Sequence, residues 1–348
     1  MRTIEWIDDS HQVRMIDQRI LPRRFEYLHC GTMDEMIDAI RSMAIRGAPA
    51  LAVAGAYGMA LELLQPAANV RDQARNAAVR LIAARPTAVN LSWGVNRLLK
   101  IVNDLNVRER DLPRMILAEA HRMADEDVRV NRKLAENGAA LIEDGDTIIH
   151  HCNTGSLAVV EWGTALGAIR FAHEQGKKIH VLVDETRPRL QGSRLTAWEC
   201  EQYGIPYEII TDNMAGYFIR SGKVQKVFFG ADRVAANGDV VNKVGSYMLS
   251  LAAHANHVPV YSVFPVSTLD LTIANGDLIP IEERDADEVL GIEFHGEPVA
   301  PLGAKVRNPA FDVTPHELIT ALVTEKGVIK PPFERNLVNC VYNTSLDG

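Results

Sequence analysis

The chain has 348 residues, is 47% hydrophobic and 24% charged, and carries a formal net charge of −8. This is the composition of a soluble globular protein with a large core, and it excludes low-complexity and fibrous classes. The acidic balance gives no electrostatic reason for a nucleic-acid or membrane partner, and an anionic ligand would need a local basic site.

Residues 3–18 alternate apolar and polar positions around Asp8, Asp9 and Ser10, which predicts a β-hairpin. Positions 33–44 have helical spacing. Arg46, Gly47, Ala48 and Pro49 then break the pattern, and Pro49 suits the first turn of a new helix over 50–64. Further helices are predicted at 69–84 and 112–140, with a turn and a helix start at 85–91. From about residue 144, apolar strands (146–152, 178–184, 206–211, 226–230, 259–264) alternate with amphipathic helices (156–175, 192–203, 213–221, 242–256). Such alternation predicts a doubly wound parallel sheet. The expected architecture is α/β. A Rossmann-like catalytic domain, 141–348, follows a smaller domain, 1–140, of a short β element plus helices. The polar, acid-containing N-terminus does not read as a signal peptide, and no apolar run reaches the length of a membrane span. Cys30, Cys152, Cys200 and Cys340 form no CxxC pair, so they read as reduced thiols of a cytoplasmic protein.

The chemistry gathers at strand ends. His150, His151 and Cys152 follow the first strand, Asp184, Glu185 and Arg187 the second, Asp212 the third, and Asp232 the fourth. Ligands of open parallel sheets bind beyond the carboxyl ends of the strands, so this row describes an active-site rim. Cys152 precedes an expected helix start, which favours a thiolate; a buried, inert thiol is the plainer alternative. Asp232 is a candidate general acid or base, set against a helix cap or an ion pair with Arg233. Asp184 and Asp212 carry the same ambiguity. His150 and His151 are adjacent on a strand and point to opposite faces, so they do not both face one metal. Arg46 beside a helix start makes a physically sensible phosphate site, as does Lys243 in the expected helix start at 242–245; each also reads as an ordinary solvated cation. No metal-ligand spacing, GxGxxG or GxxxxGK[ST] motif is present, so no metal, NAD or ATP cofactor is expected.

Taken together, RGAPAL (46–51), RPTAVNL (85–91), HCNTGSLA (151–158), GTALG (163–167), DETRPRLQGSRLTAWE (184–199), TDNMAG (211–216), GADRVAANGDVVNKVGSY (230–247) and NPAFDVTP (308–315) resemble the methylthioribose-1-phosphate isomerase family. The likeness runs from the first hairpin to about Gly327, with Val159, Ser193 and Cys200 as small departures; 336–348 falls outside it. The wider superfamily includes regulatory subunits of the initiation factor 2B and ribose-1,5-bisphosphate isomerase. The resemblance implies an aldose–ketose isomerase of methionine salvage, converting 5-methylthioribose 1-phosphate to 5-methylthioribulose 1-phosphate. It implies Cys152 and Asp232 as the catalytic pair, and substrate contacts from Arg46, Gly47, Ala48, Arg85, Gln191, Asn242 and Lys243. It also implies a homodimer.

The phosphate ester on C1 withholds the free aldehyde until the ring opens. Asp232 is therefore expected to donate a proton at the ring oxygen. Cys152 is expected near C1 and C2, either as a base toward an enediolate or as a stabiliser of a hydride shift; the sequence leaves both open. Alternatives are an isomerase of 5-deoxyribose 1-phosphate or ribose 1,5-bisphosphate, and a non-catalytic regulatory subunit.

Overall fold

The structure, a computed structural model, describes residues 1–301 and 303–342. It separates into two compact units: Met1–Arg132 with Thr154–Gly163, and Lys133–Asn153 with Thr164–Gly348.

In the first unit, β1 (Ile4–Ile7), β2 (Gln12–Ile16) and β3 (Tyr27–Cys30) form an antiparallel sheet, with Ile4 opposite Met15 in the predicted hairpin. Helices α1 (Met33–Arg41), α2 (Ala48–Glu62), α3 (Val70–Ala84) and α4 (Val89–Asn103) follow, and then α5 (Leu112–Ala139). Thr32 and Glu35 cap α1 reciprocally, and Asn69 accepts from the Asp72 amide to start α3. α2 is rich in Ala and Gly and buried almost all round. The reason is close backbone approach: a Cβ on Gly94 of α4 would lie 2.5 Å from the Ala52 carbonyl of α2.

The segment 154–163 departs from expectation. Instead of opening a helix over 156–175, it makes one tight turn, Ser156–Ala158, and the helix begins at Ala165. Gly155 and Gly163 bridge one another, and Gly163 has φ +103 with Gly155 backbone 2.6 Å from where a Cβ would sit. That backbone conformation ends any helix. The segment instead bonds within its own unit: Thr3 N donates to Val160 O (2.8 Å) and Gln18 Nε2 to Leu157 O (2.8 Å).

The second unit is built on a seven-stranded sheet. Its parallel strands are β4 (Thr147–His150), β5 (His180–Asp184), β6 (Tyr207–Ile210), β7 (Lys226–Phe229), β10 (Val260–Val263) and β15 (Ala321–Thr324). β16 (Gly327–Ile329) adds antiparallel at one edge, giving the order β16-β15-β10-β7-β4-β5-β6. Strand order therefore reverses at β4, whose neighbours are β5 and β7. Helices α6 (Ala165–Glu174), α7 (Ala197–Tyr203), α8 (Ala215–Arg220) and α9 (Ser246–Ala255) connect these strands.

A second, smaller sheet was not anticipated. Its strands are β8 (Arg233–Ala235), β9 (Val240–Lys243), β11 (Leu269–Asp270) and β14 (Phe311–Thr314), in the order β11-β8-β9-β14. Two short exposed strands, β12 (Glu293–Phe294) and β13 (Glu297–Pro298), pair with each other between β11 and β14. Asn242 and Lys243 thus end a strand rather than begin a helix. Val240 and Val241 favour extended backbone, Lys243 pairs opposite Phe311, and Gly245 at φ +105 makes the turn into α9. Among the described residues no helix is long and apolar enough to cross a membrane.

Candidate active site

Cys152 and Asp232 follow β4 and β7, the two adjacent strands at the reversal of strand order. Crevices outside strand ends at such a point are where open α/β sheets bind ligands. Cys152 is held in left-handed backbone, φ +71, by its neighbours. Its amide donates to Thr186 Oγ1 (2.9 Å) and its carbonyl accepts from Thr196 Oγ1 (2.7 Å). Neither threonine was singled out from the sequence, although both lie in the family-like stretch 184–199.

That stretch is folded by Asp212, which accepts from the amides of Thr186 (2.8 Å) and Arg187 (2.7 Å). Asp212 is thereby a loop anchor. Gly192 passes so near β5 that a Cβ would sit 1.7 Å from the Asp184 carbonyl, so only glycine fits. The tight passage delivers Gln191 to the thiol: its Nε2 donates to Cys152 Sγ at 3.5 Å. Gln191 is only 7% exposed, and its Oε1 is buried without a hydrogen-bond partner. A buried amide oxygen left unpaired costs free energy, so it marks a place where a ligand hydroxyl could donate.

Lys243, 5% exposed, donates from Nζ to the Ala310 carbonyl (2.6 Å) and lies 4.7 Å from the centre of the Phe311 ring. Burial, reinforced by Arg284, pulls its ammonium down to about 8, while negative charge at Cys152 and Asp232 opposes that shift. The three functional groups therefore share one electrostatic environment. Asn242 Nδ2 donates to Ser246 Oγ (2.8 Å). Asp232 precedes a strand rather than a helix, and the Arg233 guanidinium lies 2.7 Å from Asp270. The thiol is not followed by a helix N-terminus, which withdraws that part of the argument from sequence.

The two histidines behave differently. Burial, with the neighbouring His151, drives His150 down to about 3, leaving it neutral. Burial also opposes charge on His151, but its bond to Asp184 (2.9 Å) and the Asp184 and Asp212 carboxylates prevail and raise it to about 9. Burial pushes the Asp184 carboxyl up, against the bond from His151. His151, Asp184 and Asp212 present ligand-type atoms within 4.8 Å of one another. Both ring nitrogens of His151 already face oxygen acceptors, so the imidazole offers an ion no lone pair.

The remaining candidates lie in the first unit. Gly47 precedes α2 with φ +95, and a Cβ there would lie 2.2 Å from the Ala158 carbonyl. Arg46 and Ala48 flank it, and no side chain caps this helix start. Arg85 ends α3, and its carbonyl accepts from the Ala88 amide (3.0 Å) at the turn into α4.

The profile of the Initiation factor 2 subunit family matches residues 44–331. A methylthioribose-1-phosphate isomerase of Thermotoga neapolitana is 50% identical over 97% of each chain. The crystal structure of 5-methylthioribose 1-phosphate isomerase from Pyrococcus horikoshii superposes with a TM-score of 0.90, at 40% identity, over 98% of this chain and 95% of that one. The crystal structure of the translation initiation factor eIF-2B, subunit delta, from A. fulgidus gives a TM-score of 0.87 at 44% identity, over 98% and 99%.

Proposed function

The chain belongs to the Initiation factor 2 subunit family and, within it, to the methylthioribose-1-phosphate isomerases, and on that premise we propose that it interconverts 5-methylthioribose 1-phosphate and 5-methylthioribulose 1-phosphate in methionine salvage. The observation that carries this reading is the convergence of Cys152, Asp232, Gln191 and Lys243 at the reversal of strand order in one unit.

Asp232 protonates the ring oxygen as the bond from C1 to that oxygen breaks. The hydrogen on C2 then passes to C1, and the C2 hydroxyl gives its proton back to the Asp232 carboxylate as it becomes the ketone. Cys152 lies against C1 and C2 in this arrangement. A buried sulfur that accepts from Gln191 is suited, as the thiolate, either to take the C2 proton or to steady positive charge at C1 during a hydride shift. Turnover in heavy water tests the base route: solvent deuterium at C1 of the product demands the base, whereas a hydride shift carries the C2 hydrogen to C1 without exchange. Lys243 holds the phosphate, with Gln191 and Asn242 as further substrate contacts in the same unit. Arg46, the amides at Gly47 and Ala48, and Arg85 are the contacts that family membership implies for the first unit. Holding the phosphate fixes the carbon skeleton for the hydrogen transfer.

The working protein in this reading is a cytoplasmic homodimer that uses neither metal nor nucleotide, with domains 1–140 and 141–348. Exposed Tyr217 and Met248, on α8 and α9, offer apolar surface of the kind such a contact covers. A second reading, a non-catalytic regulatory subunit, draws on the likeness to the A. fulgidus initiation-factor subunit. The deciding experiment is a coupled assay of the purified chain on 5-methylthioribose 1-phosphate, 5-deoxyribose 1-phosphate and ribose 1,5-bisphosphate. Turnover of the first well above the others is expected. Inactivity toward all three would replace the isomerase by the regulatory reading.

A further inference from the structure

His151 is buried, one residue before Cys152, and both of its ring nitrogens are engaged. Nδ1 lies 2.9 Å from Asp184 Oδ2, and Nε2 lies 3.0 Å from the carbonyl oxygen of Val244. A carbonyl oxygen only accepts, so Nε2 carries a hydrogen in every state. The second proton resides between Nδ1 and Asp184. The charged and titratable groups around the ring are Asp184 on β5, Asp212 after β6, Asp312 on β14, and its chain neighbours His150, the last residue of β4, and Cys152. Three carboxylates from three elements against one neutral imidazole keep that proton on His151.

The Val244 carbonyl occupies a particular place. It follows Lys243 and precedes Gly245, whose φ of +105 lays the turn flat on the imidazole; a Cβ there would fall 2.8 Å from His151 Cε1. Val244 N donates to the Ala310 carbonyl (3.1 Å) and Gly245 N to Asp312 Oδ2 (2.7 Å), so the turn is bonded on its far side as well. One ring thus joins the strand end that carries Cys152 to the turn that carries Asn242 and Lys243.

We propose that His151 is a positioning residue, an imidazolium that donates from both nitrogens and thereby sets the place of the Lys243 turn relative to the Cys152 strand end. The proposal rests on the isomerase reading for its kinetic consequence, but not for its chemical state. Asparagine in its place can reach toward Asp184 but not Val244, and glutamine can reach toward Val244 but not Asp184.

The test has two arms on the full chain. In the first, histidine nitrogens are labelled with nitrogen-15 and observed by NMR, with the His151 signals assigned by their loss in His151→Asn. Both nitrogens should be protonated at pH 7, with Nδ1 losing its proton only as the pH passes about 9. One protonated and one bare nitrogen at pH 7 would overturn the proposal. This arm reads the protonation of the unmodified chain, and His151→Gln supplies the assignment where His151→Asn does not fold. In the second arm, His151→Asn should raise KM for 5-methylthioribose 1-phosphate about tenfold, the worth of one hydrogen bond, with a smaller change in kcat. His151→Gln should restore most of that KM. Equal losses in the two variants, or a KM unmoved in both, contradict the clamp. An unmodified chain inactive on every sugar phosphate would overturn the isomerase reading, while the NMR result would still judge His151.

Discussion

Asp232 sits between two strands, and the neighbouring Arg233 pairs with Asp270. Asp232→Asn preserves the shape and removes the proton. Turnover should fall by about 10²–10⁴ with substrate binding retained. A near-normal kcat in that variant would end the acid role. Cysteine chemistry gives a second expectation. Cys30, Cys200 and Cys340 are buried, and burial pushes each thiol up, Cys30 to about 12. Alkylation should therefore inactivate through Cys152 alone, with substrate protecting it; peptide mapping that ties inactivation to Cys200 would refute this. Lys243 supplies a pH test with a definite sign. Its ammonium, lowered to about 8 by burial, is charged below that pH and neutral above it. KM for the sugar phosphate should thus rise above pH 8 by up to about tenfold per unit, and a flat KM through pH 9.5 would remove Lys243 from the anion site. At this scale the sequence offers Cys152, Asp232 and Lys243 as candidates because their residue types are chemically loaded. It did not carry Thr186, Thr196 or Phe311, whose importance lies in backbone and ring contacts that no composition encodes. Nor could it assign His151, whose role depends on a carbonyl 93 residues later.

Elements were legible where periodicity ran unbroken. The hairpin, α1 to α5 and the five principal parallel strands stand within a few residues of their predicted places. Two failures share a cause, which is that glycine conformation and long-range pairing outweigh local pattern. The stretch 156–164 has helix-compatible residues, but the bridge between Gly155 and Gly163 closes it into a loop. Residues 242–243 read as the start of a helix until β14 arrives to pair with them. The same weight of backbone contact predicts the outcome at the crossing of α2 and α4. Gly94→Ala would drive a methyl group to 2.5 Å from the Ala52 carbonyl. The crossing must open, and the loss of unfolding free energy should be about 1–3 kcal/mol, measured by denaturant titration. An unchanged midpoint would mean that the crossing yields more easily than a backbone contact should.

The molecule as a whole carries a net charge of −8, yet its candidate ligand is an anion. Positive charge is nevertheless gathered locally, since Lys243 and Arg284 both lie against the Phe311 ring. The division itself was only partly visible in sequence. Nothing in the composition of 154–163 signals that this segment packs with the N-terminal unit, immediately after Cys152 and Asn153 have been placed in the other.

The pairing of β9 with β14 also orders events in time. The ribosome releases Cys152, Gln191, Asp232 and Lys243 long before Phe311, because 67 residues separate Lys243 from the Ala310 carbonyl that receives its ammonium. Contacts so distant in sequence form late, since the intervening chain must first be synthesised and closed. A nascent chain ending before β14 would hold the thiol and the carboxylate but leave the cation's strand with only one of its two partners, β8. Chains arrested at successive lengths should therefore gain protection of Cys152 by sugar phosphate abruptly, once β14 has cleared the exit tunnel. Protection appearing in chains that stop short of β14 would show that the small sheet is dispensable for binding.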